Sequence, residues 1–195
     1  MHYPLSLSFK IVTFVPQIYV TDATGTSVLY IRQKLLKMKE EVTVFTDQQQ
    51  NRPLYKINAD RVIDWSARYH FTDLNRMELG SVKREGMRSL WKAHYQIYDG
   101  PNPSMTIREA NPFTKVMDGL FGEIPVLGMF SGYLFHPQYN VTNNHDGRVV
   151  MQLRKQPSLF ESKFIIEKEN GLQDKQESTV LLSLLMMLLL ERNRG

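Results

Sequence analysis

The feature that most constrains the fold of this 195-residue chain is an apolar run near its C-terminus. Residues 180–190, VLLSLLMMLLL, contain one polar residue, Ser183, and Asp174 with Glu177 forms the capping-box pattern of a helix start. A helix without a polar face must be buried on all sides or lie in lipid. Because this run rises only about 16 Å, little more than half of a bilayer's hydrocarbon core, we expect a buried central helix near residues 175–192.

A repeated unit organises the first half of the chain. Asp22, Asp47, Asp73 and Asp99 each follow one β-rich run and precede another, at spacings of 25, 26 and 26 residues. A period of this length accommodates two strands and two turns, so each unit is predicted to be a β-hairpin. We expect the aspartate to start each turn by accepting a hydrogen bond from the backbone.

Apolar and polar residues alternate within the predicted strands. Ala67, Tyr69 and Phe71 fall on one face, and Arg68 and His70 on the other, which is typical of a half-buried strand. Similar runs predict about twelve strands, nine before residue 110 and three between residues 132 and 169, with a helical excursion near 112–130.

The helix decides how these strands are arranged. A β-sandwich would leave half of an all-apolar helix exposed, whereas a closed barrel can surround it. We therefore predict a mainly β protein, formally α+β, with a closed antiparallel barrel of about 12 strands around one buried hydrophobic C-terminal helix. Residues 1–195 are expected to form a single domain.

Several short runs resemble one protein family. They are YIRQKL at 30–35, PLYKI at 53–57, ARYHFTD at 67–73 and LGSVKR at 79–84, together with the Leu/Met-rich tail. In this order they are similar to the LURP-one-related proteins of plants and bacteria, which belong to the Tubby C-terminal-like superfamily with the phospholipid scramblases. The resemblance covers essentially the whole chain and implies a 12-stranded barrel around a C-terminal helix.

The resemblance implies less about function. In the superfamily, Tubby domains bind phosphoinositide headgroups through Lys and Arg on the barrel surface, scramblases act at membranes, and the plant relatives are associated with defence against pathogens. No headgroup-binding motif matches this sequence residue by residue. The chain also lacks the cysteines and the Pro-rich N-terminal region expected of a scramblase-like protein.

Composition and motifs exclude several classes of function. The absence of cysteine rules out disulfide scaffolds and Cys-based metal sites. The net charge of +4 is far from the clustered basic stripe of a nucleic-acid-binding protein. The sequence contains no phosphate loop, metalloprotease motif or nucleophile elbow, so we expect no cofactor and no resident metal. We expect a cytoplasmic monomer.

Two weaker signals concern histidine and a possible calcium loop. His70 and His94 lie on the polar faces of their strands, where they could approach each other and Asp64 to form an acid–base site. This pattern keeps an enzyme as an alternative, although solvated histidines are the simpler interpretation. The residues Asn143 to Gly147 resemble part of a calcium loop but lack its ligand series, and we interpret them as a hairpin turn.

The basic residues form the constellation with most functional promise. Arg32 alternates with Leu29 and Ile31 and is predicted to point outward, and four others flank a predicted turn at Glu85 and Gly86. Such cations can attract anionic headgroups or an acidic protein; a solubilising surface is the alternative interpretation. The predicted ligand-binding residues are Arg32, Lys34, Lys56, Lys83, Arg84, Arg88 and Lys92.

These observations favour a non-catalytic binding or scaffolding barrel, with association to anionic phospholipid surfaces as one form of that function. An adaptor for a protein partner is the other form. An internal lipid carrier conflicts with a helix that fills the lumen, and a cavity beside the helix would revive it.

Overall fold

The computed structural model contains twelve strands and one helix within the residues that it describes. The described residues are 1–10, 17–32, 42–61, 67–86, 93–110, 137–158, 162–169 and 171–192. The predicted helical excursion near 112–130 lies outside them. The elements are β1 Leu5–Lys10, β2 Gln17–Thr21, β3 Ser27–Arg32, β4 Val42–Phe45, β5 Pro53–Ala59, β6 Arg68–Asp73, β7 Glu78–Arg84, β8 His94–Asp99, β9 Asn102–Glu109, β10 Gln138–Asn143, β11 Val149–Gln156, β12 Ser162–Lys168 and helix α1 Asp174–Arg192.

The strands form a closed antiparallel barrel in which each pairs with its neighbours in sequence. The barrel closes because β1 pairs with both β2 and β12, so that Leu7 lies opposite Val20 on one side and Phe164 on the other. Alternate residues point inward, as the burial of Tyr69 and Phe71 shows. The predicted barrel is confirmed, with nine strands before residue 110 and three after it.

The two ends of the barrel differ in their connections. The turns after β2, β4, β6, β8 and β10 lie at one end, which we call the turn end, and helix α1 also begins there. The other end, at which α1 finishes at Arg192, is called the exit end. Odd-numbered strands run toward the exit end and even-numbered strands run away from it.

Three of the four repeated aspartates start their turns as predicted. The Asp22 carboxylate accepts hydrogen bonds from the backbone of Thr24 at 3.0 Å and Thr26 at 3.1 Å. Asp47 accepts from the backbone of Gln49 at 3.0 Å, and Asp73 from that of Asn75 at 2.9 Å. These side-chain bonds replace water at the turn backbone and fix the hairpin register.

Asp99 departs from the repeat for a local reason. The residue two positions later is Pro101, which has no backbone N–H to donate. The turn instead relies on Gly100, whose φ of 57° suits glycine, and the Asp99 carboxylate accepts from the Lys175 ammonium of α1 at 3.2 Å. At the β10–β11 turn, Asn143 accepts from the backbone of His145 at 2.8 Å, which confirms a hairpin turn there.

Helix α1 runs through the core from the turn end to the exit end. Residues 179–189 of the helix are buried, as the all-apolar pattern predicts. The Ser183 hydroxyl donates to the Thr179 carbonyl at 2.7 Å, which satisfies the one polar side chain of the apolar run. Within the described residues, no helix has the length and apolarity needed to cross a bilayer.

The start of α1 differs from the predicted capping box. The backbone N–H of Gln173 donates to the Gln176 side chain at 3.2 Å, so capping involves the residue before Asp174. Glu177 instead accepts from the Tyr3 hydroxyl at 3.0 Å and pairs with Lys168. These contacts tie the first turn of the helix to the N-terminus and to β12.

Helix α1 lies off the barrel axis, because it packs most closely against β6, β7 and β8. Gly80 of β7 makes this approach possible. A Cβ at position 80 would lie 2.7 Å from the Thr179 Cγ2 and 2.7 Å from the Tyr98 carbonyl oxygen. The Thr179 hydroxyl also donates to the Leu79 carbonyl at 3.0 Å, which joins the helix to the same strand.

We expect Gly80→Ala to lower the free energy of unfolding by about 1–3 kcal/mol, because the added methyl group forces the helix away from β7. Denaturant titration followed by circular dichroism measures the change. Gly86→Ala is the matched control, since a Cβ at position 86 meets no atom within 4 Å. Equal stability of the two variants would contradict the close packing of α1 on β7.

Candidate anion-binding end of the barrel

Outward-facing basic side chains gather at the exit end of the barrel. Arg32 ends β3 and Arg68 begins β6, and both termini lie at this end. All members of the group are exposed or half-exposed, and none forms an ion pair within the described residues. We call them the basic collar: Lys10, Arg32, Arg68, Lys83, Arg108 and Lys163.

The strand register brings collar residues together. Arg68 lies directly opposite Lys83 on adjacent strands. Lys10 and Arg32 lie on either side of Gln17, one strand away from it in each direction. Like charges placed this close repel each other, so the collar favours the arrival of an anion that neutralises them.

Aromatic rings hold two of the collar side chains. The Arg68 guanidinium lies 3.9 Å from the centre of the Tyr98 ring, and the Lys10 ammonium lies 4.7 Å from that of Tyr19. Ser81 lies on β7, between β6, which carries Arg68, and β8, which carries Tyr98. Its side chain faces outward and yet is completely buried. The cation–π contacts keep both charges over the outer surface and leave their hydrogen-bonding groups available.

Acidic residues concentrate at the turn end. The hairpins and the start of α1 place Asp22, Asp47, Asp73, Asp99, Asp146, Glu169, Asp174 and Glu177 there. Several turn-end cations are paired with these acids, as in Lys175–Asp99 and Lys168–Glu177. Among the described residues the exit end also carries Asp60, Glu85, Glu109 and Glu191, but cations outnumber these acids there, whereas acids outnumber cations at the turn end. Charge is therefore separated along the barrel axis.

Of the seven predicted basic residues, the structure describes Arg32, Lys56, Lys83 and Arg84, and these differ in position. Arg32 and Lys83 face outward at the exit end, as expected, and belong to the collar. Lys56 lies nearer the middle of the barrel, between Thr43 and Thr72. Lys34, Arg88 and Lys92 lie outside the described residues.

Arg84 was predicted to lie in an exposed basic patch, and the structure contradicts this exposure. Its side chain is buried, and its guanidinium pairs with the Glu191 carboxylate of α1 at 3.5 Å. The Tyr95 hydroxyl donates to the same carboxylate at 2.8 Å. Burial, followed by the nearby Glu191 charge, raises the pKa of Tyr95, so its phenol remains a donor. Arg84 thus anchors the last turn of the helix and contributes nothing to the outer surface.

The sequence contains the signal that places Arg84 inside. Gly80, Val82 and Arg84 share one face of β7 and Ser81 and Lys83 share the other, so strict alternation puts Arg84 with the core residue Val82. Lys10, Arg68, Arg108 and Lys163 were missed as site residues, although alternation and the order of the hairpins place them at the same end as Arg32 and Lys83. Only the pairing of β1 with β12 joins distant parts of the chain.

The histidines predicted as an acid–base pair lie apart. Strand β7 separates His70 of β6 from His94 of β8. His70 lies opposite Ser81, whereas His94 lies beside Glu85, just beyond the end of β7. The Nδ1 of His70 is 3.1 Å from the Glu78 carboxylate, and Asp64 lies outside the described residues. In the part of the chain that the structure describes, no three acidic or histidine side chains converge as a metal site.

We expect Arg84→Met to lower the free energy of unfolding by about 1–3 kcal/mol, because it leaves the partly buried Glu191 carboxylate without its counter-ion. Adding Glu191→Met should restore much of this loss, since apolar residues often replace a buried ion pair without penalty. Denaturant titrations of the single and double variants test this. Lys83→Met, which removes the outward charge next in sequence, is the control and should have little effect; an equal loss there would contradict the inward position of Arg84.

Comparison with known proteins agrees with this architecture. A crystal structure of a protein from Arabidopsis thaliana is similar to this chain with a TM-score of 0.52 and 12% sequence identity, over 98% of this chain and 92% of the other. At this identity the similarity shows the fold alone. A search of curated proteins finds no significant match.

A family model gives the more specific result. The model described as LURP-one-related matches residues 27–169, which extend from β3 through β12 and make up most of the barrel. The resemblance seen in the sequence and the barrel built around a central helix agree with this match. The chain belongs to the LURP-one-related family.

Proposed function

We propose that this protein is a non-catalytic binding barrel that docks through its exit end onto anionic phospholipid surfaces. The observation that supports this function most strongly is the separation of charge along the barrel axis, with the unpaired basic collar at one end and the acidic turns at the other. An anionic surface attracts the first end and repels the second.

The position of the collar supports docking by the end of the barrel. Its six residues come from β1, β3, β6, β7, β9 and β12, which are spread around the whole circumference. A ligand bound to one face of the barrel would meet only part of the collar. A surface that covers the exit end meets all of it, so the barrel axis is expected to stand toward the membrane normal.

The collar is expected to bind an anionic membrane weakly enough for the binding to be reversible. Each Lys or Arg close to an anionic membrane contributes about 1 kcal/mol, so the collar supplies about 6 kcal/mol, a dissociation constant on the order of 10⁻⁵–10⁻⁴ M. Such binding is peripheral.

We further propose that the protein acts as a monomer in the cytoplasm, where the adjacent membrane leaflet carries the anionic lipids.

We expect the full chain to sediment with vesicles that contain phosphatidylserine and not with vesicles of phosphatidylcholine alone. Binding should weaken steeply with added salt, because screening acts over about 8 Å at physiological ionic strength. The double variant Arg32→Glu/Lys83→Glu should bind at least ten times more weakly, since it reverses two collar charges.

The matched control is Arg52→Glu/Arg148→Glu, which makes the same change in net charge with two exposed residues at the turn end. It should retain most of the binding. Equal loss in both variants would show that net charge alone matters, and equal sedimentation with neutral and acidic vesicles would exclude the membrane proposal. Absence of binding to either vesicle at low salt would leave an acidic protein as the partner for the collar.

A further inference from the structure

A pocket lies inside the exit end of the barrel, on the side away from β7. Helix α1 packs against β6, β7 and β8, and this leaves space between the last turn of the helix and the strands on the far side. The space has a volume of about 200 Å³. Its walls include Phe9, Phe164 and Leu188 on one side and Lys155, Glu191 and Arg192 on the other.

The volume of the pocket suits a small organic molecule. An apolar cavity of about 150 Å³ is large enough to hold benzene, so about 200 Å³ accommodates a ring or short chain with one polar group. The space beside the other end of the helix, lined by Leu79 and Thr179, has only about 20 Å³, enough for a single water. Beside the helix, the described residues therefore leave room for a ligand at the exit end, as well as in a groove of about 420 Å³ between the start of β9 and the end of β10, which Gln176 also lines.

One part of the pocket wall is apolar. Phe9 and Phe164 lie edge to face with their ring centres 6.1 Å apart, and Leu188 of the helix completes this side. All three side chains are almost completely buried. An apolar group placed against them would be removed from water, which is favourable in proportion to the buried area.

The other part of the wall carries positive charge. Lys155 belongs to the inward face of β11, which it shares with Leu153, whereas Arg154 points outward and pairs with Glu167. The Lys155 ammonium forms no ion pair within the described residues. The residue is half-buried, so its charge is partly removed from water, and a bound anion would compensate for the lost hydration.

Arg192 supplies a second cation with an incomplete set of hydrogen bonds. Its guanidinium lies 5.1 Å from the centre of the Phe9 ring, and its Nη1 is shielded from solvent without a hydrogen-bond partner. A buried donor left unpaired costs about 1–3 kcal/mol. A carboxylate matches the planar guanidinium and would accept from it.

The other polar groups of the wall do not oppose an anion. The Glu191 carboxylate is already engaged by Arg84 and by the Tyr95 hydroxyl. Burial, followed by the charges of Glu109 and Glu191, raises the pKa of Tyr139, so its hydroxyl stays protonated and can donate. Counted with Arg84, the cations Lys155 and Arg192 outnumber Glu191 and the nearby Glu109 by three charges to two, so the pocket keeps a net positive charge.

We infer that this pocket binds a small amphiphilic carboxylate, with its apolar body against Phe9, Phe164 and Leu188 and its carboxylate between Lys155 and Arg192. The ligand class follows from the volume, the apolar wall and the two unpaired cations. This inference concerns the interior of the barrel and does not depend on the basic collar of the outer surface.

Benzoate and octanoate are suitable probes, titrated into the full chain and followed by the chemical shifts of residues in β10, β11 and α1. Benzyl alcohol, which has the ring without the charge, is the ligand control. We expect both carboxylates to bind at the exit end and benzyl alcohol to bind at least ten times more weakly. Lys155→Gln and Arg192→Gln should each weaken benzoate binding at least tenfold.

Arg154→Gln is the matched protein control, because it removes the charge next to Lys155 from the outer face of the same strand. It should leave benzoate binding unchanged. Ser162→Phe provides a second test, since its ring should fill the pocket and abolish binding while the circular dichroism spectrum is retained. Absence of benzoate shifts at millimolar concentration, equal affinity for benzyl alcohol, or equal effects of Arg154→Gln and Lys155→Gln would overturn the inference.

Discussion

The burial of helix α1 is the constraint on which the rest of the structure depends. Its residues 180–189 present apolar side chains in every direction, and each buried Leu or Met contributes about 1.5–3 kcal/mol. Only a shell that closes around the helix removes all of these side chains from water. The twelve strands provide this shell, and because the barrel has no free edges it also avoids edge-to-edge association.

The path of the helix gives the two ends of the barrel their different characters. Short turns that use aspartate to hold the backbone lie at the end where α1 begins, so acidic groups accumulate there. At the exit end the barrel presents the outward collar, and inside it the buried Arg84 pairs with the partly buried Glu191 and holds the last helical turn. The close contact at Gly80 displaces α1 toward β7 and leaves the pocket beside Arg192. Both proposed binding sites are thus consequences of how one helix is accommodated.

Local patterns predicted most of the fold, whereas features set by distant contacts required the structure. Period-two alternation and the aspartate spacing predicted the strands and turns, and the proline at position 101 explains why Asp99 behaves differently. The same alternation also predicts that Arg84 points inward. Its proximity to a predicted turn had instead suggested that its side chain is exposed. The off-centre helix depends on Gly80 and Thr179, and the closure of the barrel depends on the pairing of β1 with β12; both contacts join residues that are far apart in sequence. The sequence has no local signal for such contacts.

Native-state hydrogen exchange of the α1 backbone tests the central claim most directly. If the helix is the core around which the barrel closes, the amides of residues 182–189 can exchange only when the whole barrel unfolds. Their opening free energies should then equal those of the most protected amides in β7 and β8, and should fall with them in denaturant. Exchange of the helix amides at much lower free energy, while the strands remain protected, would show that the barrel is stable without the helix and would contradict the account.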